Sequence, residues 1–147
     1  MTTLLSLEPA LRVRIGDNVA GAYQWNTDEL VDVLDNSLKR YNAEQPFQEF
    51  SVTGSGDDRV YYPTPAGNDT ELLLLYAELY VAESEKHRAI RASVVRSTPV
   101  GNINLTDIRR GWVEEVKDLK KRIAEFKNAV GHVDMMPRIV ARELSQN

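Results

Sequence analysis

The stretch LTDIRRGWVEEVKDLKKRIAEFKNAV, residues 105–130, carries the clearest structural pattern in the chain. Its apolar residues recur every three or four positions, the spacing that places side chains on one face of an α-helix. These residues are Leu105, Ile108, Trp112, Val116, Leu119, Ile123, Phe126 and Val130. The pattern predicts a long amphipathic helix that packs through this face, and Gly131 is its expected end.

Three more helices are predicted before this one. The first is capped by Ser6 and ends at Gly16, so IGDNVAGAYQW contains a helix stop followed by a connecting loop. The second begins at Thr27 as its N-cap, and its apolar face comprises Leu30, Val31, Val33, Leu34, Leu38 and Tyr41. The third, residues 70–96, is apolar almost all round in its first half, which predicts a central core helix.

Residues 47–63 differ in composition from the helical segments. FQEFSV and RVYYP are aromatic and β-branched and flank the Gly-rich TGSGDD, which predicts a β-hairpin. A lone two-stranded hairpin is marginally stable in water, so it needs the helices or a partner to hold it. Its tip, residues 53–58, has few apolar side chains and is expected to become ordered on a partner.

The predicted architecture is mainly α, a small bundle of about four helices with an inserted β-hairpin and an extended C-terminal tail. Residues 1–131 form the helical domain in this prediction, with the hairpin inserted at about residues 47–63. Residues 132–147 form a docking arm for a partner, since a segment that folds on binding uses a few apolar contacts. The expected anchors are Met135, Met136, Ile139, Val140 and Leu144.

The composition limits the class of protein. A chain of 147 residues corresponds to one domain. The absence of cysteine excludes disulfides and cysteine-based metal sites. The longest apolar runs, such as residues 72–77, are too short to span a membrane. The N-terminal sequence lacks the basic start and long apolar stretch of a secretory signal, which predicts synthesis in the cytoplasm.

Charge is distributed in blocks along the chain, although the net charge is only −4. Residues 17–85 sum to −11, and residues 86–110 sum to +5. Separate acidic and basic blocks can neutralise each other within a chain or pair between copies of it. Solvated faces of a monomer are the alternative.

No set of residues forms a catalytic motif. Glu83 and His87 have the i, i+4 spacing that metal sites use, but no Cys and no second His lies near them in sequence. A solvated surface pair is therefore the favoured interpretation. GSGDD lacks the Lys-Ser/Thr of a P-loop and the alternating ligands of an EF-hand, which favours a hairpin tip. No catalytic residue, metal site or cofactor is predicted.

Two alternatives from other functional classes remain open. A small helical regulatory or nucleic-acid-binding module would use the basic cluster of residues 86–96, joined by Arg109 and Arg110. The acidic overall charge and the lack of a helix-turn-helix pattern argue against a duplex-binding protein. An enzyme subunit or metal protein built on Glu83 and His87 is the other alternative.

The order of the motifs resembles the head–tail connector, or adaptor, proteins of long-tailed bacteriophages. The pieces that carry the resemblance are LEPALRVRIGD, a loop, YQWNTDELVDVLDNSLKRYN, the apolar ELLLLYAELYVAESE and GNINLTDIRRGWVEEVKDLKKRIAEF. Their order and spacing match the family over roughly residues 7–127. The hairpin and the tail lie outside the resemblance.

The resemblance implies a mostly helical structural subunit that is not an enzyme, needs no cofactor and contacts no membrane. Such subunits form a homo-oligomeric ring, expected to be twelvefold, beneath the portal protein. The ring extends the DNA channel without binding DNA specifically and docks the downstream neck or tail protein. The implied location is the neck of the virion, between capsid and tail, after synthesis in the host cytoplasm. The IGD…YQW segment is then a structural joint between two helices.

A closed ring needs a heterologous interface, in which two different surfaces of the subunit meet. We therefore expect neighbouring subunits to bring the acidic block to the basic block, while the channel wall stays net acidic. The acidic candidates are Asp28, Asp32, Asp35, Glu44 and Glu49. The basic candidates are Lys86, Arg88, Arg91 and Arg96.

Overall fold

The computed structural model describes residues 2–44, 49–95 and 102–144, with side chains in 2–44, 49–91 and 107–130 of these ranges. The elements in chain order are α1 (Leu4–Ile15), α2 (Thr27–Glu44), β1 (Ser51–Thr53), a 3-10 turn (Gly56–Asp58), β2 (Val60–Tyr62), α3 (Gly67–Val95) and α4 (Asn102–Leu144). The predicted fold class, a mainly helical bundle with an inserted hairpin, is confirmed.

One hydrophobic core joins the four helices of the described chain, and α3 lies at its centre. α3 packs against α1, α2 and α4, as its all-round apolar first half predicts. The predicted apolar face of α2 is buried in full. The long helix contributes the middle of its predicted stripe, Val116, Leu119 and Ile123. The amphipathic pattern in the sequence thus locates the core correctly where helices face one another.

The N-caps of the first two helices differ from the predicted ones. Thr3 caps α1, since its Oγ1 accepts the N–H of Ser6 at 3.0 Å, so Ser6 lies inside the helix. Asn26 caps α2 by accepting the N–H of Glu29 at 2.8 Å, and the Glu29 carboxylate accepts the Asn26 N–H at 2.9 Å. This reciprocal pair is a capping box. Thr27, the predicted cap, instead lies within 3.4 Å of the Arg12 guanidinium.

The hairpin is anchored to the helices of its own chain. β1 and β2 pair antiparallel with Val52 opposite Tyr61, and the buried Tyr61 donates its hydroxyl to the Leu34 carbonyl of α2 at 3.3 Å. The side chain of Asn42 bonds both the N–H and the carbonyl of buried Phe50, at 3.1 and 2.7 Å. These contacts supply the support that an isolated hairpin lacks.

The hairpin tip has a defined backbone geometry within the single chain, while its ordering on a partner stays a prediction. The N–H of Asp58 bonds the Ser55 carbonyl at 3.2 Å, and the resulting 3-10 turn lies against α1. Gly54 has a φ of 93°, and a Cβ there would lie 2.6 Å from the Asp58 carbonyl oxygen. The tip therefore closes through backbone bonds and a glycine, which an apolar-residue count does not detect.

α4 does not end at Gly131, as predicted, but continues to Leu144. A single glycine costs a helix only about 1 kcal/mol, so it is a weak stop signal unless the backbone turns left-handed there. Arg122 lies 3.5 Å from Glu78 and Lys120 lies 3.4 Å from Glu83, which sets the antiparallel register of the two helices. In that register α4 passes the start of α3 near residue 134 and projects roughly 12–16 Å beyond it. We call this part of α4, residues 134–144, the overhang.

The opposite end of the α3–α4 pair projects as well. The Arg88 guanidinium lies 5.8 Å from the ring centre of Trp25, in the loop before α2. α3 continues from Arg88 to Val95, which adds about 10 Å of helix. We call residues 86–95 of α3 and 102–114 of α4 the arm.

Candidate functional site

A buried ionic network forms the joint between α1 and α2. Arg12 is 4% exposed and its Nε donates to Glu8, four residues earlier on α1. Its Nη1 donates to Asp17 at 2.8 Å and to the Trp25 carbonyl at 2.9 Å. Asp17 in turn accepts the N–H groups of Gln24 and Trp25, at 2.8 and 3.1 Å. The network ties the end of α1 to the whole following loop.

Gly16 makes this geometry possible. It ends α1 with a φ of 74° and a ψ of 16°, the left-handed conformation that glycine adopts without a Cβ clash. The chain then reverses so that Asp17 faces back towards Arg12. The helix stop predicted at Gly16 is confirmed, while the buried Glu8–Arg12–Asp17 network is a feature that the sequence analysis missed. Its only sequence signal is the i, i+4 spacing of Glu8 and Arg12 beside the apolar Leu7 and Leu11.

An open cleft of about 490 Å³ lies beside the joint, lined by Arg12, Tyr23, Gln24, Trp25, Asn26, Thr27 and Glu29. The charge of Arg12 is already matched by two carboxylates, and the Tyr23 ring covers its guanidinium at 3.9 Å. Glu29 is engaged in the capping box of α2. The charged groups of the cleft are therefore used to fix the backbone, which favours a structural joint over a ligand site.

The acidic candidates are divided between paired and solvated positions. Asp32 and Asp35 face Arg59 of the hairpin, whose Nη1 lies 3.1 and 3.7 Å from their carboxylates. Asp28 and Glu49 are exposed, and no ion pair within the described side chains includes either of them. The hairpin tip adds the exposed carboxylates of Asp57 and Asp58, which belong to the 3-10 turn that lies against α1.

Glu44, the remaining acidic candidate, acts within the subunit. Its carboxylate accepts the Tyr76 hydroxyl of α3 and lies 2.9 Å from Lys127 Nζ of α4. Burial raises the pKa of Glu44, but the hydrogen bonds from Tyr76 and Lys127 outweigh it, so this pKa lies below the ordinary glutamate value. Glu44 thus links α2 to both long helices.

The basic candidates lie at the base of the arm and along it. Arg88 pairs with Glu85 at 3.2 Å and packs over Trp25, whereas Lys86 is half-buried and Arg91 is exposed. Arg109 and Arg110 of α4 are exposed, and among the described side chains neither they nor Arg91 join an ion pair. Arg96 lies outside the described residues.

The apolar stripe of α4 loses its cover as it enters the arm. Leu119 is 1% exposed and Val116 is buried, whereas Trp112 is half-buried and Ile108 is 51% exposed. All four residues belong to the same predicted stripe. Their exposure differs because the other helices extend far enough to cover Leu119 and Val116 but not Ile108. The arm therefore presents an apolar face flanked by exposed arginines.

A carboxylate that the sequence analysis did not single out is buried between three helices. Glu78 of α3 lies between Arg122 of α4 and Arg14 of α1, at 3.5 and 3.7 Å, and its Oε2 makes no hydrogen bond. Burial raises the pKa of Glu78 above the ordinary glutamate value, although the two arginines oppose the shift. No sequence pattern indicated this buried carboxylate, because the preceding LLLLYA predicts an apolar core segment.

The remaining predicted positions supply no site geometry. Glu83 pairs with Arg40 at 3.3 Å and Lys120 at 3.4 Å, and no cluster of three potential metal ligands occurs in the part of the chain that is described. The docking candidates Met135, Met136, Ile139, Val140 and Leu144 belong to the overhang, and their side chains lie outside the described ones. Their role stays a prediction.

Comparison of the chain with protein-family models, with curated proteins and with solved structures finds no match. Within the described ranges, every helix is too short or too polar to cross a lipid bilayer.

Proposed function

We propose that the chain is a structural subunit of the head–tail connector of a long-tailed bacteriophage. In this proposal it forms a homo-oligomeric ring beneath the portal, extends the DNA channel and docks a neck or tail protein. The proposal rests on the order of motifs over roughly residues 7–127. The fold is compatible with it, since these motifs make up the joint, the core helix and the long helix of one bundle.

The observation that carries the proposal is that α4 reaches beyond its own bundle in both directions. Its apolar stripe is uncovered at Ile108 in the arm, and its overhang passes the start of α3 at the other end. Among the side chains that the structure describes, the buried part of this stripe is Val116, Leu119 and Ile123, in the middle of the helix. Projecting helix ends with apolar residues suit a subunit that packs against neighbours.

The two ends would then have different tasks. The arm would contact neighbouring subunits, and the overhang would use its apolar residues, Met135 to Leu144 in sequence, to dock the portal or the neck protein. An acidic channel wall would let DNA slide without adhering. No catalytic step is part of this role.

Locating the protein in particles tests the proposal. Purified virions of a phage whose genome encodes the chain are labelled with an antibody against it, and the label should mark the neck in electron micrographs. The purified protein should form rings with a central hole wide enough for duplex DNA. Labelling of the capsid shell or the tail fibres, or absence of the protein from virions, would contradict the proposal.

A nucleic-acid-binding module remains the alternative, favoured by the exposed Arg91, Arg109 and Arg110 on the arm. Fluorescence anisotropy with duplex DNA separates the two functions. Tight binding that weakens steeply with salt and is lost in Arg109→Glu/Arg110→Glu would favour the module. Absence of binding at moderate salt would favour the connector.

A further inference from the structure

The described surface contains two uncovered regions of opposite charge. The arm surface consists of Ile108 and Trp112 with the exposed Arg91 and Arg109. It combines an apolar face with cations on both helices of the arm.

The second region is the hairpin surface, which consists of Tyr62, Asp28, Asp32, Asp57 and Asp58. Tyr62 follows the buried Tyr61 and points to the outer face of the hairpin, where it is 68% exposed. Asp32 pairs with Arg59 of the hairpin, Asp28 lies one turn earlier on α2, and Asp57 and Asp58 lie in the hairpin tip. This surface combines an exposed aromatic ring with negative charge.

The two surfaces are carried by different halves of the subunit. The hairpin lies on α1 and α2 through Arg59, Phe50 and Tyr61, whereas the arm is built from α3 and α4. No hydrogen bond or ion pair between described residues joins the arm surface to the hairpin surface. A contact between them therefore requires two copies of the chain.

We infer that the arm surface of one copy binds the hairpin surface of the next copy. Both regions combine uncovered apolar side chains with opposite charge, so they are complementary in two independent respects. Two different surfaces in contact give a heterologous interface, the type that can close into a ring. The inference rests on the proposed function, because the contact it describes is the one between neighbouring subunits of the ring. It replaces the pairing of the whole acidic block with the whole basic block, expected from the sequence, by a contact between two defined surfaces.

Charge reversal with a matched control tests the inference. Assembly of the full-length protein is measured by sedimentation at low and at high salt for Arg91→Glu/Arg109→Glu and for Lys117→Glu/Lys121→Glu. The control pair carries the same charge change on exposed positions of α4 outside the arm. We expect the arm variant to weaken assembly about tenfold at low salt, since exposed pairs each contribute little and act together. The control should stay within about twofold of wild type.

Rescue and an uncharged variant complete the test. Asp57→Lys/Asp58→Lys in the arm variant should restore most of the lost affinity, because it returns opposite charges to the two surfaces. Tyr62→Ala should weaken assembly at both salt concentrations, whereas Tyr80→Ala, an exposed tyrosine on α3, should not. Circular dichroism melting confirms that each variant is folded.

The outcomes separate the contact from the function. Loss in the arm variant, rescue by the tip variant and an unaffected control support the contact. Rings that form equally well in every variant overturn the contact and leave the connector proposal standing. A wild-type protein that stays monomeric at all concentrations overturns the contact, and the labelling of virions then decides the connector proposal by itself.

Discussion

At the scale of single residues, the joint between α1 and α2 depends on one arginine. Arg12 is the cation that neutralises both Glu8 and Asp17, and its three side-chain nitrogens reach four groups of the loop and helix. A buried ion pair that loses one partner leaves an uncompensated charge, which costs more than the pair itself contributes.

Arg12→Met is therefore expected to lower the free energy of unfolding by about 3–5 kcal/mol. Lys121→Met is the matched control, because Lys121 is exposed and its pair with Glu125 spans 3.8 Å, so its loss should cost about 1 kcal/mol or less. Urea denaturation monitored by Trp fluorescence measures both. Equal and small effects would show that the network does not hold the loop.

Two glutamates should give the stability opposite dependences on pH. The pKa of Glu78 is raised in the folded state, so the folded protein holds this proton more tightly than the unfolded one and loses stability as the pH rises through the shifted range. The pKa of Glu44 is lowered, so its contribution is present at higher pH and is lost as the pH falls.

Relative to wild type, Glu78→Gln should thus gain stability as the pH rises above the ordinary glutamate pKa, because only wild type must then hold a buried carboxylate. Glu44→Gln should instead be less stable than wild type above the ordinary glutamate pKa, and this difference should shrink as the pH falls below it. Thermal unfolding of the three proteins at several pH values measures the differences. If both variants shift in the same direction, the buried position of Glu78 does not control its titration.

At the scale of elements, sequence patterns predicted the helices better than their ends. Every residue of the predicted apolar face of α2 is buried. This face could be predicted because the spacing of apolar residues along one helix is visible in the local sequence. Gly16 and Gly131 are alike in sequence, yet one ends a helix and the other does not, because Asp17 and Arg12 stabilise the turn only at Gly16. The exposure of Ile108 could not be predicted from the spacing of apolar residues either, because it depends on where α1 and α2 end relative to α4.

The hairpin provides the sharpest comparison between neighbouring residues. Tyr61 is 2% exposed in the core and Tyr62 lies on the outer face. Tyr61→Ala should lower the free energy of unfolding by about 3 kcal/mol or more, and Tyr62→Ala should change it by about 0.5 kcal/mol or less. Guanidinium unfolding of the two variants measures this difference, and similar losses would mean that the strand register differs from Val52 opposite Tyr61.

At the scale of the whole molecule, the core and the arm meet on α4 at Trp112, which packs against the core and also belongs to the arm surface. The described core contacts of this helix lie between Trp112 and Phe126. The division into a folded body, residues 1–131, and a docking segment, residues 132–147, stays a prediction, although α4 runs continuously through residue 131. The charge blocks were predicted too, but their pairing was not, because Glu44 and Arg59 form contacts between residues distant in the chain.

Deletion of residues 132–147 should leave the melting temperature within a few degrees of wild type, because it removes no described core contact. Binding to the portal or neck protein should be lost, which co-sedimentation of the purified components measures. Complementation of a phage lacking the gene gives the decisive readout, since infectious particles assembled with the shortened chain would exclude a docking role.

The unbroken course of α4 has a mechanical consequence. A single α-helix of 43 residues connects the arm at one end to the overhang at the other, and α3 braces its middle through Arg122 and Lys120. Pro137 lies inside the overhang and lacks the N–H that an interior helix position donates, so we expect a push on the overhang to bend α4 there. The braced middle of the helix around Leu119 would then keep its place in the core while the overhang changes direction.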